Sequence, residues 1–432
     1  MKLGKLIFTC VIRPIIASQV NLFGKSLILE GSLSEAVQLV EALPAVSVKS
    51  SSFVRLRKPC PARLFGEGNL DRFKNLFLEE EITLVVIDGE LTAIQQRNLE
   101  RKWNLKVLDR TALILEIFGA RAMSREGVLQ VELAHLNYQK SRLVRSWTHL
   151  ERQRGGMGFL GGPGETQIES DKRAINVRIG QIKQALNKVV KTRSLHRNAR
   201  KKIPFPTIAL VGYTNSGKSS VFNRLTGEKA LVRNMLFATL DPKMQAIKVS
   251  SGEKLILSDT VGFISDLPTL LVAAFRATLE EVTSADLVLH VRDISINNFE
   301  EQGQAVESVL KSLGVEKNNN RIIEVWNKVD KLNTSEKIDI ECFAENTQMI
   351  QSKAIVSAKT GTGFETLLQL IETFFNTGKK EELIFVPFEK SKERAWLLAN
   401  NLVIQEKVVA KGSEMFVSWT ERQKGKFLSD GG

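Results

Sequence analysis

The sequence predicts a multidomain α/β protein: an N-terminal α/β domain over 1–128, an antiparallel helical hairpin over 129–202, a mostly parallel sheet with helices on both faces over 203–378, and a small α+β unit over 379–432. Three observations carry this. A chain of 432 residues exceeds the roughly 250–300 at which a single hydrophobic core stops growing. Short apolar runs alternate with helix-like segments on either side of 129–202, the pattern of strands joined by crossover helices. Two stretches with a three-four apolar spacing flank a glycine cluster between them, as in a helical hairpin.

In the N-terminal region, Ser26–Glu30 reads as a strand, and Ser32-Leu33-Ser34-Glu35 as a capping box opening a helix to about Leu43. Asn69 is placed to cap a helix over Leu70–Glu80, Ile82–Ile87 reads as a buried strand, and Thr92–Trp103 as a helix. Leu6–Ile12 is apolar and follows Lys2 and Lys5, but Arg13 and Pro14 interrupt it and no small-residue cleavage site follows, so a signal peptide is not expected. No segment approaches the about 20 apolar residues of a membrane span. A cytoplasmic, monomeric protein is the expectation, with peripheral membrane association compatible with its charge. Cys10, Cys60 and Cys342 are far apart and match no metal or redox spacing.

In the hairpin, Leu129, Leu133, Leu136, Leu143, Trp147 and Leu150 form one apolar seam, and Ile175, Ile179, Ile182, Leu186 and Val189 the other. Gly155, Gly156, Gly158, Gly161, Gly162 and Gly164, with Pro163, mark the tip within 151–170. Residues 140–202 hold sixteen Lys or Arg against four Asp or Glu, a balance of +12 in a chain of net charge +13 and pI ≈ 9.5. So concentrated a charge on an elongated element points to a polyanionic partner. The expected RNA contacts are Phe159, Arg193, Arg197, Arg200 and Lys201. After the third region, Leu383–Phe388 reads as a strand, Lys392–Leu402 as a helix, and the remainder as β-rich.

The chemistry concentrates after Thr207. Gly212-Tyr213-Thr214-Asn215-Ser216-Gly217-Lys218-Ser219 fits G-x-x-x-x-G-K-[ST] between an apolar strand, Thr207–Val211, and a helix start, Ser220–Leu225. Its backbone N–H groups would cradle phosphates at a helix N-terminus, Lys218 would reach the β- and γ-phosphates, and Ser219 would ligate Mg2+. Asn327-Lys328-Val329-Asp330 follows the apolar strand Ile322–Trp326. A carboxylate such as Asp330 accepts from guanine's ring N–H and exocyclic amine, where adenine would leave the acceptor unpaired. Ser357-Ala358-Lys359 supplies a second wall for the base. Asp259-Thr260-Val261-Gly262 offers Asp259 to hold Mg2+ through water and the Gly262 N–H to sense the γ-phosphate. Phe237-Ala238-Thr239-Leu240-Asp241 offers Thr239 as the switch threonine completing the metal shell. Together these residues predict GTP and GDP binding and GTP hydrolysis, with Lys218, Thr239 and Gly262 the catalytic set. Phe263 stands where many GTPases carry a water-orienting glutamine, so slow intrinsic turnover is expected.

Beyond these shared motifs the chain resembles the HflX-type GTPases, a ribosome-associated bacterial family also found in organelles. The resemblance rests on the glycine-rich signature Gly158-Phe159-Leu160-Gly161-Gly162-Pro163-Gly164-Glu165-Thr166-Gln167, on Glu126–Ala134, and on Leu236–Pro242, and is strongest over 55–330. It implies Mg2+-dependent GTP hydrolysis, binding to the large ribosomal subunit and its RNA, and a role in dissociating or rescuing stalled ribosomes. Some members are credited with an N-terminal ATP site. Here Phe65-Gly66-Glu67-Gly68 places an acidic residue between the glycines, where it would repel phosphate, and no ATP-site residue is assigned. The alternative is an RNA-binding or RNA-remodelling module for which GTP only switches affinity.

Overall fold

The structure is a computed structural model that describes residues 6–16, 26–146, 167–201, 205–227, 236–237, 239, 243–249, 254–264, 281–315, 321–346, 353–377, 379–400, 402–419, 424–425 and 427–428. The chain divides into two compact units. One comprises Met1–Arg193, Val232–Pro242 and Val261–Glu280; the other comprises Ser194–Leu231, Lys243–Thr260 and Glu281–Gly432.

The first unit is built on a parallel sheet of β1 (Ile7–Ile16), β2 (Val46–Leu56), β3 (Leu84–Ile87) and β4 (Lys106–Asp109), in the order β2-β1-β3-β4. The helices α1 (Ser26–Glu41), α2 (Glu67–Glu79), α3 (Ala93–Trp103) and α4 (Arg110–Arg121) connect or follow its strands. An aromatic group fills one side of the core: Phe77 and Trp103 meet edge to face at 5.1 Å, and Phe73 stacks on Phe77 at 5.8 Å. α3 begins as expected, with Thr92 and Gln95 completing a reciprocal capping box.

Three expectations are corrected here. Ser26–Glu30 is the start of α1, not a strand. A short apolar run cannot by itself separate the two periods; Ala36, Leu39 and Val40, buried at helical spacing, show which one continues. Ser32 and Ser34 therefore lie inside the helix, where the Ser34 hydroxyl accepts from Gln38. The Leu6–Ile12 stretch, to which no element is assigned from sequence, lies almost wholly in β1, a central strand. α2 starts at Glu67 after Gly66, because Asn69 and Leu70 both donate to the Gly66 carbonyl and so sit in the first turn. Glu67 itself is engaged by Arg63 and by Lys102 at 3.6 Å.

The hairpin helices are α5 (Arg125–Ser146) and α6 (Gln167–Lys201). Arg178 reaches from α6 to Glu132 on α5 at 2.7 Å. Ile179 and Ile182 are buried as the spacing predicts, but among the described side chains of α5 the buried ones are Val131 and Ala134 rather than the leucines of the expected seam. α5 serves a second neighbour. Its Tyr138 donates to Asp109 at the end of β4 at 2.8 Å, and Arg142 pairs with the same carboxylate. A helix with two partners has no single apolar stripe. The Gly-rich tip, Phe159, Trp147 and Leu150 lie outside the described residues, as do the side chains of Arg193, Arg197, Arg200 and Lys201.

The second unit contains a six-stranded sheet, β10-β9-β8-β5-β7-β6. Its strands are β5 (Thr207–Gly212), β6 (Lys243–Lys248), β7 (Lys254–Asp259), β8 (Leu287–Asp293), β9 (Ile322–Asn327) and β10 (Lys353–Ile355). All pairs are parallel except β6 with β7 at the edge. The helices α7 (Lys218–Thr226), α8 (Phe299–Ser312), α9 (Thr334–Asn346) and α10 (Phe364–Asn376) complete it. From β5 the chain first builds β6 and β7 to one side and then β8 to the other, so the winding reverses at β5. Crevices at such reversals, beyond the carboxyl ends of the strands, are where ligands bind in open α/β sheets. A smaller antiparallel sheet, β11 (Lys380–Pro387), β13 (Gly412–Trp419) and β12 (Val403–Val409), packs with α11 (Ser391–Ala399) around Val386, Leu397, Met415 and Trp419.

Candidate guanine-nucleotide site

β5 runs out at Gly212 into a loop that wraps back to α7. Gly212 lies at φ +154, and a Cβ there would meet the Val291 carbonyl oxygen at 2.2 Å. Gly217, at φ +95, closes the loop where a Cβ would lie 2.2 Å from Asn327 Nδ2. The two invariant positions of the motif thus answer to a backbone path that a side chain would block. Between them the hydroxyls of Thr214 and Ser216 are buried and have no hydrogen-bond partner among the described residues. Buried donors are ordinarily satisfied; these are the atoms of a cradle built for an acceptor-rich ligand.

Lys218 opens α7, fully enclosed, with its ammonium donating to the Tyr213 carbonyl at 2.7 Å. Burial pushes its pKa down to about 8, against the pull of Asp259 and helped by the nearby Lys328. A cation held in so dry a place is a strong phosphate ligand. The next residue, Ser219, donates to Asp259 Oδ2 at 2.7 Å. A hydroxyl and a carboxylate side by side are hard oxygen groups of the kind that would hold Mg2+, directly or through water. Thr260, beside Asp259, is locked to the Leu210 carbonyl at 2.5 Å.

The 327–330 segment is tied to this loop through two side chains, Asn327 and Lys328. Asn327 donates to the Ser216 carbonyl at 2.9 Å and accepts from the Ala358 N–H at 3.0 Å. One amide therefore holds the phosphate loop and the 357–359 turn at a set separation. Lys328 donates to the Asn215 carbonyl at 2.7 Å and to Asp293 at 2.6 Å. Asp330 accepts from the Ser357 hydroxyl at 2.6 Å through Oδ1, leaving the rest of its acceptor capacity for a ligand edge. The turn is completed by the Thr360 N–H donating to Ser357 Oγ at 3.1 Å. The predicted residues from Gly212 to Ser219, with Asp259, Thr260, Asn327, Lys328, Val329, Asp330, Ser357, Ala358 and Lys359, all fall in the second unit. Phe237, Thr239, Val261 and Gly262 fall in the first, and Ala238, Leu240 and Asp241 lie outside the described residues.

Two contributors belong to no short motif. Asp293, at the end of β8, binds Lys328 with one oxygen and the Ser295 N–H and hydroxyl with the other, at 3.0 and 2.6 Å. A carboxylate closing an apolar strand next to the sheet's reversal point was the available signal. Arg224 on α7 donates to the Thr360 carbonyl at 3.0 Å, its guanidinium lying over Gly361, where a Cβ would be 1.8 Å from Nη2. No sequence spacing announces that contact.

Comparison with known proteins agrees with this geometry. Three family models match in succession: "GTP-binding GTPase N-terminal" over 30–119, "GTP-binding GTPase Middle Region" over 121–200 and "50S ribosome-binding GTPase" over 207–328. The GTPase HflX of Magnetococcus marinus is 51% identical over 336 residues, 78% of this chain and 76% of that one. The chain belongs to the HflX family of GTPases. The GTPase HflX of Escherichia coli K12 is 42% identical over 340 residues, 78% of each chain. Among solved structures, the complex of SsGBP with GDP is 26% identical and covers 85% of this chain and 98% of that one, with a TM-score of 0.50. As an HflX-family member this chain is a GTP-hydrolysing enzyme that binds guanine nucleotide, and no helix among its described residues is long and apolar enough to cross a membrane.

Proposed function

We propose that this HflX-family GTPase uses Mg2+ and GTP to act on the large ribosomal subunit, separating or rescuing stalled ribosomes, and that the ribosome stimulates its hydrolysis. The observation that carries the partner is the charge: +12 of the chain's +13 lies in 140–202, beside a domain whose family description names the 50S ribosome. Phosphate neutralisation is the sequence-independent part of RNA affinity. Arg193, Arg197, Arg200 and Lys201 supply it in this reading, with Phe159 at the glycine-rich tip stacking or wedging into RNA.

At the nucleotide, Asp330 reads the donor edge of guanine and Lys328 covers the base plane. Lys218 and the backbone N–H groups of 212–219 hold the phosphates. Ser219 and Thr239 would be the metal's hydroxyl ligands, with Asp259 holding it through water. Mg2+ bound there would offset charge on the nucleotide's phosphates. Gly262 N–H contacts the γ-phosphate. Phe263 has no hydrogen-bonding group to orient water, so turnover waits on a partner that completes or reshapes the site. The curated relatives are named as GTPases, which disfavours a purely RNA-remodelling module.

Co-sedimentation with ribosomal subunits in GTP, GDP and a non-hydrolysable analogue tests this. Binding to the large subunit should be strongest with the analogue, fall with salt, and lose much of its salt dependence when Arg193, Arg197, Arg200 and Lys201 are replaced by Gln. Equal binding in all three nucleotide states would refute the switch.

A further inference from the structure

The loop that precedes the switch threonine is gripped by the N-terminal part of its own unit. Arg121, the last residue of α4, donates from Nη1 to the Leu236 carbonyl at 2.5 Å and from Nη2 to the Ala42 carbonyl, just past α1, at 3.0 Å. One guanidinium thus ties the α1–β2 corner of the sheet domain to residue 236. Nearly one helical turn earlier on α4, Phe118 meets the Phe237 ring edge to face, centroids 4.8 Å apart and planes at 86°. Leu236 and Phe237 are both buried. Phe237 is held at φ +56, a left-handed conformation that a bulky side chain adopts only where its surroundings over-determine it.

This grip has a specific form. The guanidinium addresses a backbone carbonyl, so it sets where the main chain runs while leaving the loop's side chains to other tasks. The aromatic contact then sets the rotation of the following residue. Two residues later comes Thr239. An ordinary core contact would need neither a charged donor spent on a loop carbonyl nor a strained aromatic residue inside the loop's motif.

We propose that Arg121 and Phe118 are positioning residues for GTP hydrolysis: they set the backbone of 236–237 and, through it, the placement of Thr239 in the GTP state. This rests on the reading of Thr239 as the switch threonine. Because that hydroxyl serves the metal only when the γ-phosphate is present, losing the grip should cost GTP and spare GDP.

The test uses the full-length chain as Arg121→Ala, as Phe118→Leu, which nearly conserves volume, and as Thr239→Ala, alone and combined with Arg121→Ala. Affinities for GDP and for a non-hydrolysable GTP analogue, single-turnover hydrolysis and thermal unfolding are measured for each. Arg121→Ala and Phe118→Leu should weaken the analogue relative to GDP, by about tenfold for the lost charge-assisted bond, and slow hydrolysis. Arg121→Ala should add nothing in the Thr239→Ala background. An unchanged analogue-to-GDP ratio in Arg121→Ala and Phe118→Leu while Thr239→Ala changes it overturns the proposal alone. So does equal weakening of both nucleotides, faster turnover, or an additive loss in the double variant. An unchanged ratio in Thr239→Ala itself overturns the switch reading and the proposal with it.

Discussion

At the carboxyl end of β5 the chain presents glycines and buried hydroxyls; at the carboxyl ends of β1, β3 and β4 it presents charges already paired with one another. The two sheets share a topology, since each reverses its winding at a central strand, β5 in one and β1 in the other. In the N-terminal sheet Arg110 sits buried between Asp88 at 2.6 Å and Glu35 at 2.5 Å, and Arg13 also pairs with Asp88. Burial opposes the charge on Arg110, but Asp88 and Glu35 more than offset it and hold its proton more tightly than usual. Next to it Asp109 accepts from the Ala112 N–H and the Tyr138 hydroxyl, both at 2.8 Å, and pairs with Arg142. Burial and Asp109 together raise the Tyr138 pKa, keeping its proton on the donating oxygen. The same place in two sheets is a closed electrostatic lock in one and an open cradle in the other. Topology nominates a site; whether the charged groups there are already paired with one another bears on whether a ligand is expected.

That contrast is broken most directly by a pair of substitutions. Arg110→Leu removes the buried cation that Asp88 and Glu35 share, leaving Asp88 with Arg13, and should cost about 3 kcal/mol of N-terminal stability, read as a lowered first transition in urea unfolding, with guanine-nucleotide affinity little changed. Ser216→Ala removes an orphaned hydroxyl, so the nucleotide-free protein should be as stable as the parent or more so. Its GTP affinity should fall roughly fivefold, about 1 kcal/mol for one hydrogen bond. If both substitutions destabilise the empty protein alike, the distinction between lock and cradle is wrong.

A smaller effect sharpens the cradle. With its pKa lowered from 10.5 to about 8 by burial, Lys218 is largely neutral above that pH in the empty protein. Phosphates favour the ammonium and raise its pKa again, so binding must take up a proton in that window. Calorimetry at about pH 9 in buffers of different ionisation enthalpy should show uptake approaching one proton per nucleotide. No uptake at that pH would mean the lysine is charged before the nucleotide arrives.

The nucleotide site was far more legible in sequence than the domain that carries the lock, for a physical reason. Gly212 and Gly217 are demanded by a backbone path that any Cβ would obstruct, and Asn327 by the Ser216 carbonyl and Ala358 N–H that its amide joins. Such demands act locally and leave short strings of obligatory residue types. The lock draws Arg13, Glu35, Asp88 and Arg110 from four separate elements, where each alone reads as an ordinary charge. β1 was missed because a buried parallel strand is a continuous apolar run, which at a chain start looks like a leader. Asp293 and Arg224 went unassigned for the same reason as the lock: their partners Lys328 and Thr360 are distant in sequence. The described leucines of the α5 seam are only half-buried, because that helix also presents Tyr138 and Arg142 to Asp109.

The central claim, a guanine-reading switch whose turnover is driven by the ribosome, is tested most directly by moving nucleotide choice with Asp330→Asn. The exchange turns the acceptor facing guanine into a donor that suits xanthine. Multiple-turnover hydrolysis of GTP and xanthosine triphosphate is measured with and without large ribosomal subunits. The account predicts that the variant hydrolyses xanthosine triphosphate, that large subunits stimulate this turnover, and that GTP at the parent's working concentration supports little of it. Ribosome-stimulated GTP turnover by the variant at the parent's KM would contradict the role of Asp330, and xanthosine triphosphate turnover indifferent to ribosomes would contradict the partner.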